Sequence, residues 1–199
     1  MKPTLFTLQR IETSAQEIRK SRFRAIAAPV ASEQAAKDFI ATHADAGANH
    51  NCWAWRIGQG YRFNDDGEPS GTAGKPILQA IDGQSLDHVA VVVTRWFGGI
   101  LLGSGGLMRA YGGTAAICLR AAEKTAIVAM TAARISVDFP DLARIKARLT
   151  AVPGVTIEEE HFTETGADLH LLLPAEEAAT LQRLVTDLTK GRAVIAIHS

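Results

Sequence analysis

Cysteine is scarce: a chain of 199 residues holds only Cys52 and Cys118, far apart in sequence. That excludes a disulfide framework and a zinc site built from cysteine alone. Aromatic residues make up only 6% of the chain, so alanine and glycine must fill much of the interior. Neither sign of charge predominates. Lys plus Arg number 21 and Asp plus Glu 21, a formal net charge of zero, so no whole-molecule field argues for nucleic acid or membrane. No apolar run approaches the ~20 residues needed to cross a bilayer. Residues 1–11 lack the long apolar core of a secretion signal. These absences lead us to expect a cytoplasmic protein with no membrane partner. The charge is mildly uneven: residues 1–125 carry 14 Lys/Arg against 11 Asp/Glu, and residues 126–199 carry 7 against 10.

Two nucleotide motifs are also missing. A phosphate loop ending at Gly74-Lys75 needs glycine five residues before Gly74, where Pro69 stands, and Ser or Thr after Lys75, where Pro76 stands. A dinucleotide fingerprint starting at Gly103-Ser104-Gly105 needs a third glycine at the position of Met108.

What is present centres on Val89 to Ala122. Val89-Ala90-Val91-Val92-Val93 is a short, mostly β-branched run without charge and predicts a strand buried on both faces. Five glycines follow within nine residues: Gly98, Gly99, Gly103, Gly105 and Gly106. Then Leu107, Tyr111, Thr114, Ala115, Cys118, Leu119 and Ala122 recur at helical spacing. A strand, a glycine loop and a helix start make a natural place for a site.

Around this centre the chain alternates elements. A strand is expected over Leu5 to Arg10 and another from Phe23 to about Pro29, with the basic cluster Arg19, Lys20, Arg22 and Arg24 between and within them. Ser32 suits the N-cap of a helix running to about Asp45. His50 to Ile57 reads as a strand, and Asn64 to Pro76 as a polar, glycine-rich surface loop. A short helix begins near Pro76. After a boundary near residues 124–132 the order is β-α-β-β-α-β, that of a ferredoxin-like split βαβ unit.

Several constellations bear chemistry. His50 and Cys52 share a strand face, and Asp65, Asp66 and Glu68 lie in the following loop. Together they offer metal ligands or acid/base groups; the alternative is an Asp-Gly turn beside a small buried thiol. Direct contact between His50 and Cys52 is not expected, because i, i+2 neighbours lie about 6–7 Å apart along a strand. Backbone N–H groups at the helix start around Ser104, Gly105 and Gly106 can meet an anion, with Lys75, Arg95 or Arg109 as charge partners; the alternative is a self-capped helix with Arg109 on a solvated face. The basic cluster together with Arg95-Trp96-Phe97 offers a surface for single-stranded nucleic acid, or else solvated charge beside core aromatics. Glu158-Glu159-Glu160 reads as an acidic strand face.

One family resemblance covers most of residues 16–122. It rests on Lys20-Ser21-Arg22-Phe23, on His50-Asn51-Cys52-Trp53-Ala54, on Asp65 through Pro76, on Arg95-Trp96-Phe97-Gly98-Gly99 and on Leu102 through Tyr111. These stretches resemble the IMPACT/YigZ family, in its short bacterial form without the N-terminal extension of eukaryotic members. The resemblance implies an α+β chain. Residues 1–128 would form a domain like the second domain of a small-subunit ribosomal protein. Residues 129–199 would form a ferredoxin-like βαββαβ domain resembling the end domains of elongation factor G. Eukaryotic relatives are linked to translational control under amino-acid starvation through protein contacts. The resulting expectation is a non-enzymatic regulator or binding protein of the translation system that contacts RNA or a ribosome-associated partner. Lys75, Arg95, Ser104, Gly105, Gly106 and Arg109 would be its anion contacts, with no cofactor and no metal. Two alternatives stand beside it: an enzyme acting on a small phosphorylated or nucleotide substrate through His50, Cys52, Asp65, Asp66 and Glu68, and a protein–protein adaptor.

Overall fold

A computed structural model describes residues 4–198. The chain divides into two compact units, residues 1–127 and residues 128–199, and it is α+β throughout.

The first unit is built on β2 (Glu12–Ile18), β3 (Ser21–Pro29), β4 (His50–Ile57), β5 (Gly60–Asn64) and β6 (Val89–Trp96), laid side by side in the order β2-β3-β6-β4-β5. All neighbouring strands are antiparallel. The valine run occupies the middle of the sheet. Every residue of β6 is buried except the half-buried Trp96. The last two strand residues therefore point to opposite faces, Arg95 to one and Trp96 to the other.

On one face lie α2 (Gly74–Asp82) and α3 (Gly103–Ala121). They bury Ile77, Ile81, Leu107, Tyr111 and Leu119 against Phe23, Ala25, Ala54, Val91 and Val93. Small residues on both sides let the helices approach closely. The other face carries α1 (Glu33–His43), which covers Val30, Trp55 and Ala90. The cap at Ser32 forms as expected, its hydroxyl accepting from Ala35 N. A separate two-stranded ribbon pairs β1 (Phe6–Leu8) with β7 (Lys124–Ala126).

Two edge strands were not anticipated. β2 reads Glu-Thr-Ser-Ala-Gln-Glu-Ile, and β5 is exposed along its whole length. Neither has the apolar alternation that marks a half-buried strand; each forms because a neighbour offers it a free backbone edge. The polar loop also departs from expectation. It does not simply run across the surface, for Glu68 and Thr72 are buried.

The second unit runs β8 (Met130–Asp138), α4 (Phe139–Thr150), β9 (Thr156–Phe162), β10 (Gly166–Pro174), α5 (Ala178–Thr189) and β11 (Ala196–His198). Its sheet order, β11-β8-β10-β9, is that of a split βαβ unit. Ile135, Val137, Leu169 and Leu171 meet Leu142, Ile145, Leu149, Leu181 and Val185 in its core. Among the described residues no helix is long and apolar enough to cross a membrane.

Candidate functional site

The expected surface loop folds into a bracket that turns one carboxylate inward. Asp66 and Gly67 both take positive φ, 40° and 82°, so the chain reverses within two residues. The Asp65 side chain then ties the bracket to the start of α2, one oxygen accepting from Ala73 N and Gly74 N and the other from Gly71 N. It serves as an external cap for a helix whose own N-cap residue, Ala73, has no side chain able to do so. The Asp66 carboxylate accepts from Asn51 N. Neither aspartate carboxylate reaches the same point as Glu68.

Glu68 instead ends in the core, 4% exposed at its side chain. One of its oxygens accepts from Arg95 Nη1 at 2.7 Å and from the Tyr111 hydroxyl at 2.6 Å. His50 Nε2 lies 3.7 Å from the same oxygen. The other ring nitrogen, Nδ1, lies 2.7 Å from the Asp66 carbonyl. A carbonyl only accepts, so Nδ1 carries a proton, and Nε2 is turned toward the Glu68 oxygen. Burial pushes the Tyr111 hydroxyl far above its ordinary range, so it stays protonated and donates. Arg95 is 5% exposed. Its Nη2 reaches the Ser21 hydroxyl, which also accepts from Gly98 N at 3.2 Å. The Lys20-Ser21-Arg22-Phe23 motif thereby acquires a reason: Ser21 and Phe23 face this network, and Arg22 faces away from it.

Gly98 is needed for the same closure. A Cβ there would fall 2.0 Å from the Lys20 carbonyl oxygen, so only glycine lets the loop after β6 lie against the turn between β2 and β3. That loop forms the wall of a cleft of about 430 Å³. His50, Glu68 and Arg95 supply its polar side, and Phe97, Leu101 and Leu107 its apolar side. A few convergent polar groups in an apolar cleft are the general form of a small-ligand site.

Of the residues anticipated as acid/base or metal groups, the structure brings His50 and Glu68 together, holds the Asp65 and Asp66 carboxylates elsewhere and buries Cys52 beside Tyr111. Asp65 and Asp66 are held by backbone donors. Cys52 is fully buried and donates to the Asp65 carbonyl; burial pushes its thiol up to about 12, so it is no nucleophile at neutral pH. The anticipated anion contacts are dispersed. Ser104 lines the cleft, and Gly105 and Gly106 lie in the first turn of α3. Arg95 belongs to the cleft but is spent on Glu68. Lys75 is exposed on α2.

Arg109 belongs to a different depression, of about 390 Å³, beside edge strand β2. Arg19 and Arg120 line it too. On the α1 side of the sheet, between β3 and β6, the Arg22 guanidinium lies 4.0 Å from the centre of the Trp96 ring and that of Arg24 lies 5.2 Å from it. Arg19, Arg22, Arg109 and Arg120 are exposed and form no ion pair among the described residues. Arg120 went unnoticed in the sequence because helical spacing alone does not say which neighbour it meets. Tyr111 was read only as a core position, though it lies inside the family-like stretch.

The fold and the cleft define a class: a two-unit α+β protein whose first unit encloses a Glu–Arg–Tyr–His network behind a glycine loop. The Impact N-terminal domain model matches residues 19–119, and a domain of unknown function, DUF1949, matches residues 135–192. An IMPACT family member of Thermus thermophilus is 45% identical over 88% of this chain and 97% of its own length. The Escherichia coli IMPACT family member YigZ is 36% identical over 90% of each. A crystal structure of a hypothetical protein, 32% identical, superposes over 100% of this chain and 99% of its own with a TM-score of 0.67. The chain belongs to the IMPACT family.

Proposed function

We propose that this protein is a cytoplasmic binding protein of the translation system that contacts single-stranded RNA through the basic rim around β2. The two units act as separate modules, an IMPACT-type domain over residues 1–128 and a ferredoxin-like domain over 129–199. They resemble, respectively, a small-subunit ribosomal protein domain and the end domains of elongation factor G. The observation that carries the reading is a set of arginines that form no ion pair among the described residues, Arg19, Arg109 and Arg120 beside edge strand β2 and Arg22 on the neighbouring β3, stacked on Trp96. Phosphates take the unpaired cations. Bases stack on aromatic rings and on guanidinium planes, and the outer face of Arg22 is such a plane. The proposed anion contacts are Arg19, Arg22, Arg109 and Arg120, with Lys75, Ser104, Gly105 and Gly106 at the periphery. Arg95 contributes by holding the loop in place.

The test is fluorescence titration of a short single-stranded RNA at several salt concentrations. The expected outcome is affinity that falls steeply with salt, and a salt slope reduced by about one in Arg22→Ala and again in Arg109→Ala. Affinity that is flat in salt and indifferent to both changes would overturn it. A nuclease-resistant protein captured through the same residues would favour the adaptor reading.

One observation favours a second reading, an enzyme acting on a small phosphorylated or nucleotide substrate in the cleft. His50 is oriented by a carbonyl and turns Nε2 toward the cleft and Glu68, where it can exchange a proton with a bound group. Turnover lost in His50→Gln with folding intact would support it.

A further inference from the structure

The second unit carries a cluster that neither reading uses. Strands β9 and β10 pair antiparallel, with Glu159 opposite His170 and His161 opposite Asp168. The register shifts between His170 and Leu171, so Glu158 is the extra residue of a β-bulge. The bulge exchanges the faces of β9. Ile157 packs on the core side of the sheet, and after the bulge Glu159 and His161 stand on the side away from the helices, beside His170. On that side His161 Nε2 lies 3.1 Å from a Glu159 carboxylate oxygen. The rings of His161 and His170 are 5.6 Å apart and meet edge to face at 86°. One donor atom from each of the three residues lies within 4.8 Å of the other two.

We infer that Glu159, His161 and His170 form a binding site for a divalent transition metal ion of the zinc type. Two imidazoles and one carboxylate are a recurrent three-ligand zinc set that leaves the fourth position to water or a substrate. Bonds of about 2.0–2.1 Å would bring tetrahedral donors about 3.4 Å apart, so the spacing seen needs only small side-chain rotations. Two ligands at i, i+2 on one strand and a third directly across on its neighbour give a rigid backbone base, which favours a defined geometry over an adventitious one. The charge around the site is suitable. A cation on the neighbouring strand, Arg134, lies across from His170 and is bound to Asp168 at 2.6 Å, while Ser136 holds the other oxygen of that carboxylate. The guanidinium is thus neutralised, and the site keeps the net attraction of Glu159. Imidazole donors select zinc, copper or nickel over magnesium and calcium, which prefer oxygen.

The experiment is titration of the untagged full chain with zinc by calorimetry, and with cobalt(II) followed by visible absorption. The expected result is one equivalent bound, with the intense visible bands of four-coordinate cobalt. His161→Ala and His170→Ala should each weaken binding more than about tenfold, the scale of loss that even outer-shell changes cause. Glu159→Gln should weaken it less. Zinc should raise the melting temperature of the unaltered protein and leave that of His161→Ala unmoved. Since His161 is exposed, that variant retains the fold, and its melting curve without metal verifies this. No bound metal, unaltered affinity in both histidine variants, or loss in His50→Ala instead would each overturn the assignment.

Discussion

The two faces of the first sheet treat neighbouring residues of β6 in opposite ways. Arg95 turns into the core and is spent on Glu68 and Ser21. Trp96 turns outward and carries Arg22 and Arg24. Cations in adjacent strands thus meet different surroundings, Arg95 sealing a cleft, Arg24 paired with Asp45 and Arg22 stacked at the surface. The lesson concerns desolvation. A guanidinium inside the protein must be matched with a carboxylate and further hydrogen bonds, whereas one on the rim is solvated and free to exchange partners. Strand alternation decides which fate each meets.

This contrast has measurable consequences. The largest should follow Arg95→Ala. It strands the buried Glu68 carboxylate, and urea unfolding should show a loss of about 3–5 kcal/mol. Arg22→Ala, on the other face, should cost less than about 1 kcal/mol while weakening RNA binding. Equal losses in the two variants would break the comparison.

Next comes a pair of glycines. Gly98→Ala would thrust a methyl group into the Lys20 carbonyl, and since backbone is the obstacle the loop must move. A loss of at least about 1–3 kcal/mol is expected, together with opening of the cleft, detectable as faster amide exchange at the loop. Gly113 on α3 is the control: a Cβ there meets nothing within 4 Å. Gly113→Ala should raise stability by up to about 1 kcal/mol through helix propensity. A destabilised Gly113→Ala would mean that α3 needs that gap.

The smallest effect at neutral pH concerns the thiols on the helix side of the sheet. Burial raises Cys52 to about 12 and Cys118 to about 11, from an ordinary value near 9. In the native chain both should react with a disulfide reagent at pH 8 only as fast as the protein opens. Both folded values lie above the unfolded one, so the stability concerned is present below about pH 9. It is lost as pH rises through 9 toward 12, because the unfolded chain ionises first. Rapid labelling of Cys52 in the folded protein would contradict its burial.

Much of this was legible in the residues. The valine run gave a central strand, the spacing from Leu107 to Leu119 gave the buried face of α3, and Ser32 acted as the cap it resembled. His50 and Glu68 stand in the sequence only among five candidate acid/base or metal groups, beside Cys52, Asp65 and Asp66. What could not be read was the sorting of the acidic loop. Asp65, Asp66 and Glu68 are chemically alike in sequence, yet one caps α2, one holds Asn51 N, and one enters the core. That division depends on two positive-φ residues at the turn, and composition does not reveal their effect. The strands β2 and β5 escaped notice because an edge strand is selected by its neighbour's free hydrogen-bonding edge, which lies elsewhere in the chain.

The sequence by itself therefore determined the apolar elements, their buried faces and the family, but not the edge strands, since periodicity, capping and short motifs are properties of neighbouring residues. The tertiary structure alone decided which charges meet. It joined Glu68 to Arg95 and Tyr111 across 27 and 43 residues. It grouped Arg109 with Arg19 rather than with Lys75. It also set His170 against Glu159 through a bulge in register. Coulomb and hydrogen-bond energies act over a few ångströms, and only the folded chain sets which distant residues come that close.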